Sequence, residues 1–414
     1  MNTGKGDAIS ERYDVAVVGG GVTGLSTLMH LQKSGISNCV LVEKAKCGWG
    51  GTYKSGTLVR THYVEDLSTL IAVRSLKYFQ QNDNETGFRK SGFVIGVGDR
   101  DVGTLAQVIE MNKRCGANTK LLGSTSELDE IDPLMNHENF AAVAYEPESG
   151  FADAIKTVMH FKAKAIEFGG VIKENTPVKE IKKDGNEVSA IKTDKDEIKA
   201  DSVVIAAGPW SIKFAEDLGD MLPIRYRRSP ILITQGPKGF GDNHPAFYDM
   251  VSGIYGKPNG GDTLLTGPGL LSGAASASGA AKSFIANLMR PSGGYKLLPD
   301  SFNGALFDSE TTFLYERAKK TYPLLEHGHP KMGWAGMIDD CSDGFELIGK
   351  SPSISNVYYA TGFSGHGFKE APAIGEIIAQ LLQNGRSEID IGRYSVDRFV
   401  KGRPVTPPFS YVGE

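Results

Sequence analysis

Apolar residues fall in short unbroken runs, and stretches with helical spacing lie between them. The run YDVAVV at 13–18 predicts a buried strand, and the apolar positions after it keep helical spacing as far as Lys33. CVLVEK at 39–44 predicts a second strand, followed by a glycine-rich connection and another helix ending near Tyr78. Strands alternating with helices are the pattern of a parallel sheet covered on its faces. Residues 86–149 change character: SGFVIGVG and FAAVAYEP flank the helical TLAQVIEMNKRCG, which predicts a mixed sheet in a second domain. A helix is expected from Asp153 to Phe168, then VIKENTPVKEI and VSAIKTD, and then the strand DSVVIAAG. That strand leads into Gly208, Pro209 and Trp210 and returns the chain to the first sheet. From about Leu222 to Gly333 the chain is expected back in the second domain. Within this span PGLLSGAASASGAAKSF at 268–284 reads as a loop or mobile insertion, with a close-packed small-residue helix as the alternative. Near the end, YYATGFSGHGFK at 358–369 is an apolar strand running into a glycine turn, with helix-like APAIGEIIAQLL from Ala371.

The pattern implies two interleaved domains and no internal repeat. Residues 11–85, 150–221 and 334–400 are assigned to a nucleotide-binding unit, 86–149 and 222–333 to a substrate unit, and 1–10 and 401–414 to tails. A ligand is expected between the two units.

Composition narrows the class without naming it. The 414 residues suffice for two cores, and 40% hydrophobic with 23% charged residues is ordinary for a soluble protein. A net charge of −4 gives no general attraction to nucleic acid. Cysteines at 39, 47, 115 and 341 show neither metal-ligand spacing nor a dense disulfide framework. No apolar run approaches a membrane span, and the polar start MNTGKGDAISER lacks the apolar stretch of a secretory signal, so a reducing cytoplasm is expected.

The first strand is followed by Gly19, Gly21 and Gly24 in GGGVTG. This is the order a dinucleotide fingerprint needs: a tight turn, room for pyrophosphate, and close helix-to-strand packing. Glu43, nineteen residues after Gly24, ends the second strand, where a carboxylate can hold a ribose hydroxyl. Glycines 362, 365 and 367 let a backbone approach a flat ligand, and the strand-to-helix turn aims amide donors at negative charge there. Taken alone, either glycine turn is also compatible with tight packing.

The fingerprint, the strand end AAGPW, TGFSGHGFK and the closing YSVDRF together resemble the D-amino-acid oxidase superfamily, most closely its monomeric sarcosine oxidase and N-methyl amino acid oxidase branch. The resemblance runs from about Tyr13 to about Phe399 and is weakest between 265 and 330. It implies an α/β architecture, with a Rossmann-like FAD domain built on a parallel sheet and a substrate domain built on a mixed or antiparallel sheet. It implies FAD, and oxidation of a carbon–nitrogen bond in an amino acid. Besides Gly19, Gly21, Gly24 and Glu43, the implied cofactor contacts are Val22, Thr23, Lys44, Gly51, Thr52 and Ser55. Val178, Ala207, Gly208, Trp210 and Gly336 follow in the middle of the chain, and Gly362, Gly365, His366, Gly367, Phe368 and Lys369 near its end. Arg60 of GTLVRTHY and Lys369 match the residues that bind the substrate carboxylate, Tyr255 of GIYGKP matches a pocket tyrosine, and His366 matches the histidine of the GHG turn.

The departures redirect the expectation. Where the family carries its flavin-linking cysteine, MGWAGM has Gly336, so non-covalent FAD is expected unless Cys341 or Cys47 substitutes. A lysine associated with oxygen activation is replaced by Leu265. A cation about 4 Å from developing superoxide is worth roughly 4 kcal/mol at an effective dielectric near 20, so its loss leaves oxygen or another acceptor open. Lys257 and Lys54 are candidates for the missing charge, each with a solvated surface lysine as the alternative. A second family arginine is Thr57, a pocket histidine Gly269, and a tyrosine near the flavin Ile338. Arg60 paired with an acidic neighbour, and Lys369 capping the next helix, are the competing readings of the two cations. The expected reaction is hydride transfer from a secondary, sarcosine-like amine, giving an imine that hydrolyses. The alternatives are a primary or cyclic amino acid, or a flavin-binding subunit that passes electrons to a partner.

Overall fold

The computed structural model describes residues 12–269 and 299–412. Most of the segment 268–284 therefore lies outside the described residues. Four parallel strands form the centre of the first sheet, in the order Val357–Thr361, Glu197–Ile205, Arg12–Val18, Cys39–Val42. Val171–Lys173 extends it in parallel and Leu347–Lys350 closes the other edge antiparallel. The hairpin Val178–Asp184 and Glu187–Thr193 pairs onto Glu197–Ile205, completing eight strands. The helices Val22–Lys33, Asp66–Gln81, Ala154–Glu167 and Gly367–Asn384 cover one face, burying Leu25, Leu28, Phe79, Phe161, Ile374 and Ile378. Continuous apolar strands buried on both faces are what a parallel sheet requires.

Among the described residues the second sheet also has eight strands, ordered His329–Cys341, Ile224–Gln235, Thr263–Pro268, Ile254–Pro258, Ala246–Asp249, Phe93–Val97, Ala142–Glu146, Lys120–Leu121. Among these described strands only Phe93–Val97 with Ala246–Asp249 is parallel, so the sheet is mixed. The expected α/β architecture is observed. His329–Cys341 pairs with Ile224–Gln235 along its length, so residues 334–341 are hydrogen-bonded into the second sheet and lead straight to the edge of the first.

Two boundaries move for local chemical reasons. The strand expected at 39–44 stops at Val42, because the Glu43 carboxylate accepts from Gly20 N (2.7 Å) and Ala45 N (2.8 Å) and turns the chain. The last long helix starts at Gly367, not Ala371, so GFKE is its first turn and projects Lys369 from a helical position.

Candidate active site

A cavity of about 1060 Å³ lies where the two sheets meet, slightly larger than the roughly 300–1,000 Å³ of small-molecule sites. Its nucleotide end is built by the first strand-to-helix turn. Gly19 has φ +111°, and a Cβ there would stand 2.4 Å from Ala206 O. A Cβ on Gly24 would stand 2.0 Å from Gly19 O, so this glycine is required by the contact of helix with strand. Gly21 is different: the nearest protein atom to its Cβ position is Thr52 Oγ1 at 3.5 Å, and the residue faces the cavity. The protein itself leaves room for a side chain there, so the space is shaped for something that is not protein. The helix Val22–Lys33 starts without a side-chain cap and without an acid in its first turn, leaving its positive end open to an anion. Val22 N donates to Thr52 Oγ1 at 3.1 Å. At the mouth, Lys44 Nζ stands 3.7 Å over the Trp210 ring, and both Lys44 and the Trp210 indole N–H donate to Asp300 at 2.8 Å.

The far end holds the cations. Arg60 lies 4.6 Å above the centroid of Tyr63, and Lys369 Nζ lies 5.5 Å from the same ring. His366 meets Tyr63 edge to face. Arg60 donates to the His62 carbonyl. Among the described residues neither cation is within ion-pair distance of a carboxylate. Burial, then Arg60, lowers the Lys369 ammonium to about 7. Burial, with Lys369 and Arg60 beside it, drives His366 well below its usual range, so the ring is neutral. Tyr255 lines the wall, and burial raises its hydroxyl.

All the residues expected to touch cofactor or substrate line this one cavity except Gly24 and Gly362. Gly24 is buried against Gly19, and Gly362 packs towards Ile224, Cys341 and Leu347. Thr57, Ile338 and a half-buried Lys54 line the cavity; Leu265, Gly269 and Lys257 do not. Lys257 is buried 4.5 Å over the Phe151 ring and is not the solvated surface lysine considered above. Cys47 and Cys341 are buried free thiols outside the lining, both raised to about 12 chiefly by burial.

Sequence patterning missed three contributors. Tyr63 had only its place three residues after Arg60 to mark it. Asp339 is buried and accepts from Gly362 N at 2.7 Å and Thr361 Oγ1 at 3.1 Å, shaping the turn before His366; an acid inside an apolar strand was the available signal. Residues 405–412, read as part of a tail, run back to the cavity. Val405 N donates to Asp343, Tyr411 joins His62 at 2.8 Å, and Thr406, Pro407, Ser410 and Tyr411 line the wall.

A family model described as DAO, FAD dependent oxidoreductase, matches residues 14–381. The chain belongs to the DAO family. Sarcosine oxidase subunit beta from Arthrobacter sp. is 26% identical over 94% of this chain and 92% of its own. Monomeric sarcosine oxidase from Bacillus sp. (strain NS-129) is 26% identical over 94% of this chain and 98% of its own. Among solved structures, L-proline dehydrogenase from P. horikoshii superposes with a TM-score of 0.83 at 26% identity, covering 96% of this chain and 100% of that one. This DAO-family chain is an FAD-dependent amino acid oxidoreductase.

Its residues fit FAD on structural grounds. Gly21 and the uncapped start of Val22–Lys33 offer a pyrophosphate cradle. Glu43 lines the same end of the cavity, its carboxylate fixed by two backbone amides. The first turn of Gly367–Asn384, also without a side-chain cap, aims a second set of amides at the opposite end. No described helix of this DAO-family protein is long and apolar enough to cross a membrane.

Proposed function

We propose that the enzyme oxidises the C–N bond of a small secondary, sarcosine-like amino acid, with FAD held non-covalently. The observation that carries this reading is the pair of buried or half-buried cations, Arg60 and Lys369, at one end of the cavity, with no acid at ion-pair distance among the described residues. A planar guanidinium can bind a carboxylate through two parallel hydrogen bonds, and an ammonium adds a second charge. Bound FAD supplies a hydride acceptor at N5. The chain's own contribution is positioning: Arg60 and Lys369 hold the carboxylate, Tyr63 and Tyr255 wall the amine, and the neutral His366 adds no competing charge. The resulting imine hydrolyses in water. Gly336 on the cavity wall, with no cysteine beside it there, supports non-covalent binding. The free thiols support a reducing, cytoplasmic setting.

A cyclic, proline-like amine is the second reading, favoured by the superposition on L-proline dehydrogenase. Similarity to a sarcosine oxidase subunit keeps a partner subunit, in place of oxygen, as a possible destination of the electrons. The test is the absorption spectrum of the purified protein under anaerobic conditions, before and after N-methyl, cyclic and D-amino acids. Bleaching by sarcosine or proline decides the amine, and admitting air separates oxidase from dehydrogenase. A yellow protein that none of them bleaches would overturn the proposal.

A further inference from the structure

Behind Tyr63 and His366, outside the cavity lining, lie two glutamates. Glu346 enters the strand Leu347–Lys350, Glu370 sits in the first turn of Gly367–Asn384, and both are 0% exposed. A ligand atom from each carboxyl and one from the His366 ring fall within 4.8 Å of one another. Among the described residues, none of the four carboxyl oxygens, nor His366 Nδ1, nor the Tyr63 hydroxyl has a hydrogen-bond partner outside the group; within it Glu370 faces both Glu346 and the Tyr63 hydroxyl. Tyr63 and His366 also line the cavity. Arg60 and Lys369 flank the group on the cavity side, and Arg398 and Tyr394 stand near Glu346 on the other.

Two carboxylates this close and this buried each raise the cost of a charge on the other. Burial and the neighbouring Glu370 both push Glu346 upward. A divalent cation could also be held by two carboxyls and a histidine, but Arg60, Lys369 and Arg398 already surround the group with positive charge.

The amine oxidation proposed above, on which this inference rests, requires a proton to leave. An amino acid in water carries an ammonium, and an ammonium has no lone pair with which to expel a hydride. We propose that Glu346 and Glu370 form one buried proton acceptor for the substrate ammonium, reached through the Tyr63 hydroxyl and the His366 face of the cavity. One N–H bond of the ammonium breaks and its electron pair stays on nitrogen. One O–H bond forms on the glutamate pair, which goes from one proton to two and from charge −1 to 0. Tyr63 accepts one proton and releases another, and no electron moves in this step.

The test uses the FAD-loaded protein under anaerobic conditions and two probes, sarcosine and glycine betaine. Both carry a carboxylate and a cationic nitrogen, but betaine has no N–H to give. In infrared difference spectra, sarcosine should produce a gain in the protonated-carboxyl band and betaine none; Glu346→Gln and Glu370→Gln should each abolish that gain. In Glu370→Gln the rate of flavin bleaching near neutral pH should fall about a hundredfold and recover at high pH, where the free amine is already present, while betaine affinity stays within threefold. A merely structural role would give neither the recovery nor the band. The proposal is overturned if wild-type protein shows no carboxyl gain while sarcosine still bleaches the flavin, or if purified protein holds a stoichiometric divalent metal that both variants lose. If neither probe binds and no amine bleaches the flavin, the reading of the site as an amino acid pocket has failed instead.

Discussion

The rings of Tyr63 and His366 stand at 90° with centroids 5.1 Å apart. The two residues come from opposite ends of the sequence, and this contact locks the loop carrying Arg60 to the helix carrying Lys369. The two cations proposed to hold the substrate carboxylate therefore come from two distant segments, brought together at one tyrosine ring.

Replacing Arg60 with alanine should weaken binding of a carboxylate ligand by tenfold to a hundredfold, the range of a charge-assisted hydrogen bond of about 1.5–3 kcal/mol, while FAD stays bound. Arg60→Lys should recover only part of the loss, because an ammonium cannot bind through two parallel N–H donors. Titration of flavin absorbance with glycine betaine measures both, and unchanged affinity in Arg60→Ala would remove the residue from the site.

Lys369 predicts a pH dependence with a definite sign. Its ammonium is lowered to about 7 in the fold from an ordinary value of 10.5, so it is charged below pH 7 and neutral above. Betaine affinity should fall as pH rises through about 7, and Lys369→Met should flatten that profile. Stability moves the other way: between pH 7 and 10.5 the unfolded chain binds the extra proton, so this residue's destabilising effect is full below 7 and fades towards 10.5. Urea unfolding of wild type and Lys369→Met across that window should show the gap between them closing by roughly 1.4 kcal/mol per pH unit.

The fingerprint glycines should separate folding from cofactor binding. Gly21→Ala meets no protein atom closer than 3.5 Å, so the apoprotein should melt within a few degrees of wild type yet lose most of its FAD. Gly24→Ala places a methyl 2.0 Å from Gly19 O and should destabilise the apoprotein itself, by about 1–3 kcal/mol or more. Thermal melts of both apoproteins, together with flavin content, check the contrast.

Lys54 is a half-buried ammonium on the cavity wall, whereas Leu265 is packed among Ile231, Ile233 and Trp334. Lys54→Met should slow reoxidation of the bleached flavin by air at least tenfold without altering anaerobic bleaching. Stopped-flow mixing with oxygenated buffer reads this directly; an unchanged rate would exclude Lys54 as the charge that assists oxygen.

Local rules made the nucleotide end readable. YDVAVV is apolar at every position after Asp14, GGGVTG follows without a gap, and Glu43 lies at the predicted strand end, so one continuous segment carries the signal. The substrate end depends on pairings across some three hundred residues, which no periodicity encodes. Arg60 and Lys369 were reached only through the resemblance. Glu346 and Glu370 each read as polar residues at the edge of an apolar run, the usual mark of a solvated position, and the fold buries both. Residues 405–412 are short, proline-containing and without regular periodicity, and the burial of Tyr411 with contacts to His62, Asp101 and Asp343 distinguishes them from a free end.

The meeting of early and late segments at one cavity also has a consequence for synthesis. A ribosome releases the Gly19 turn and Glu43 long before His366 and Lys369, and the wall at Tyr411 comes later still. The nascent chain can assemble the first strands as they emerge, but the complete flavin cavity forms only after residues 405–412 have been made. Cofactor uptake in this enzyme should thus report that translation has passed Tyr411, and chains truncated before it should be recognisable as colourless.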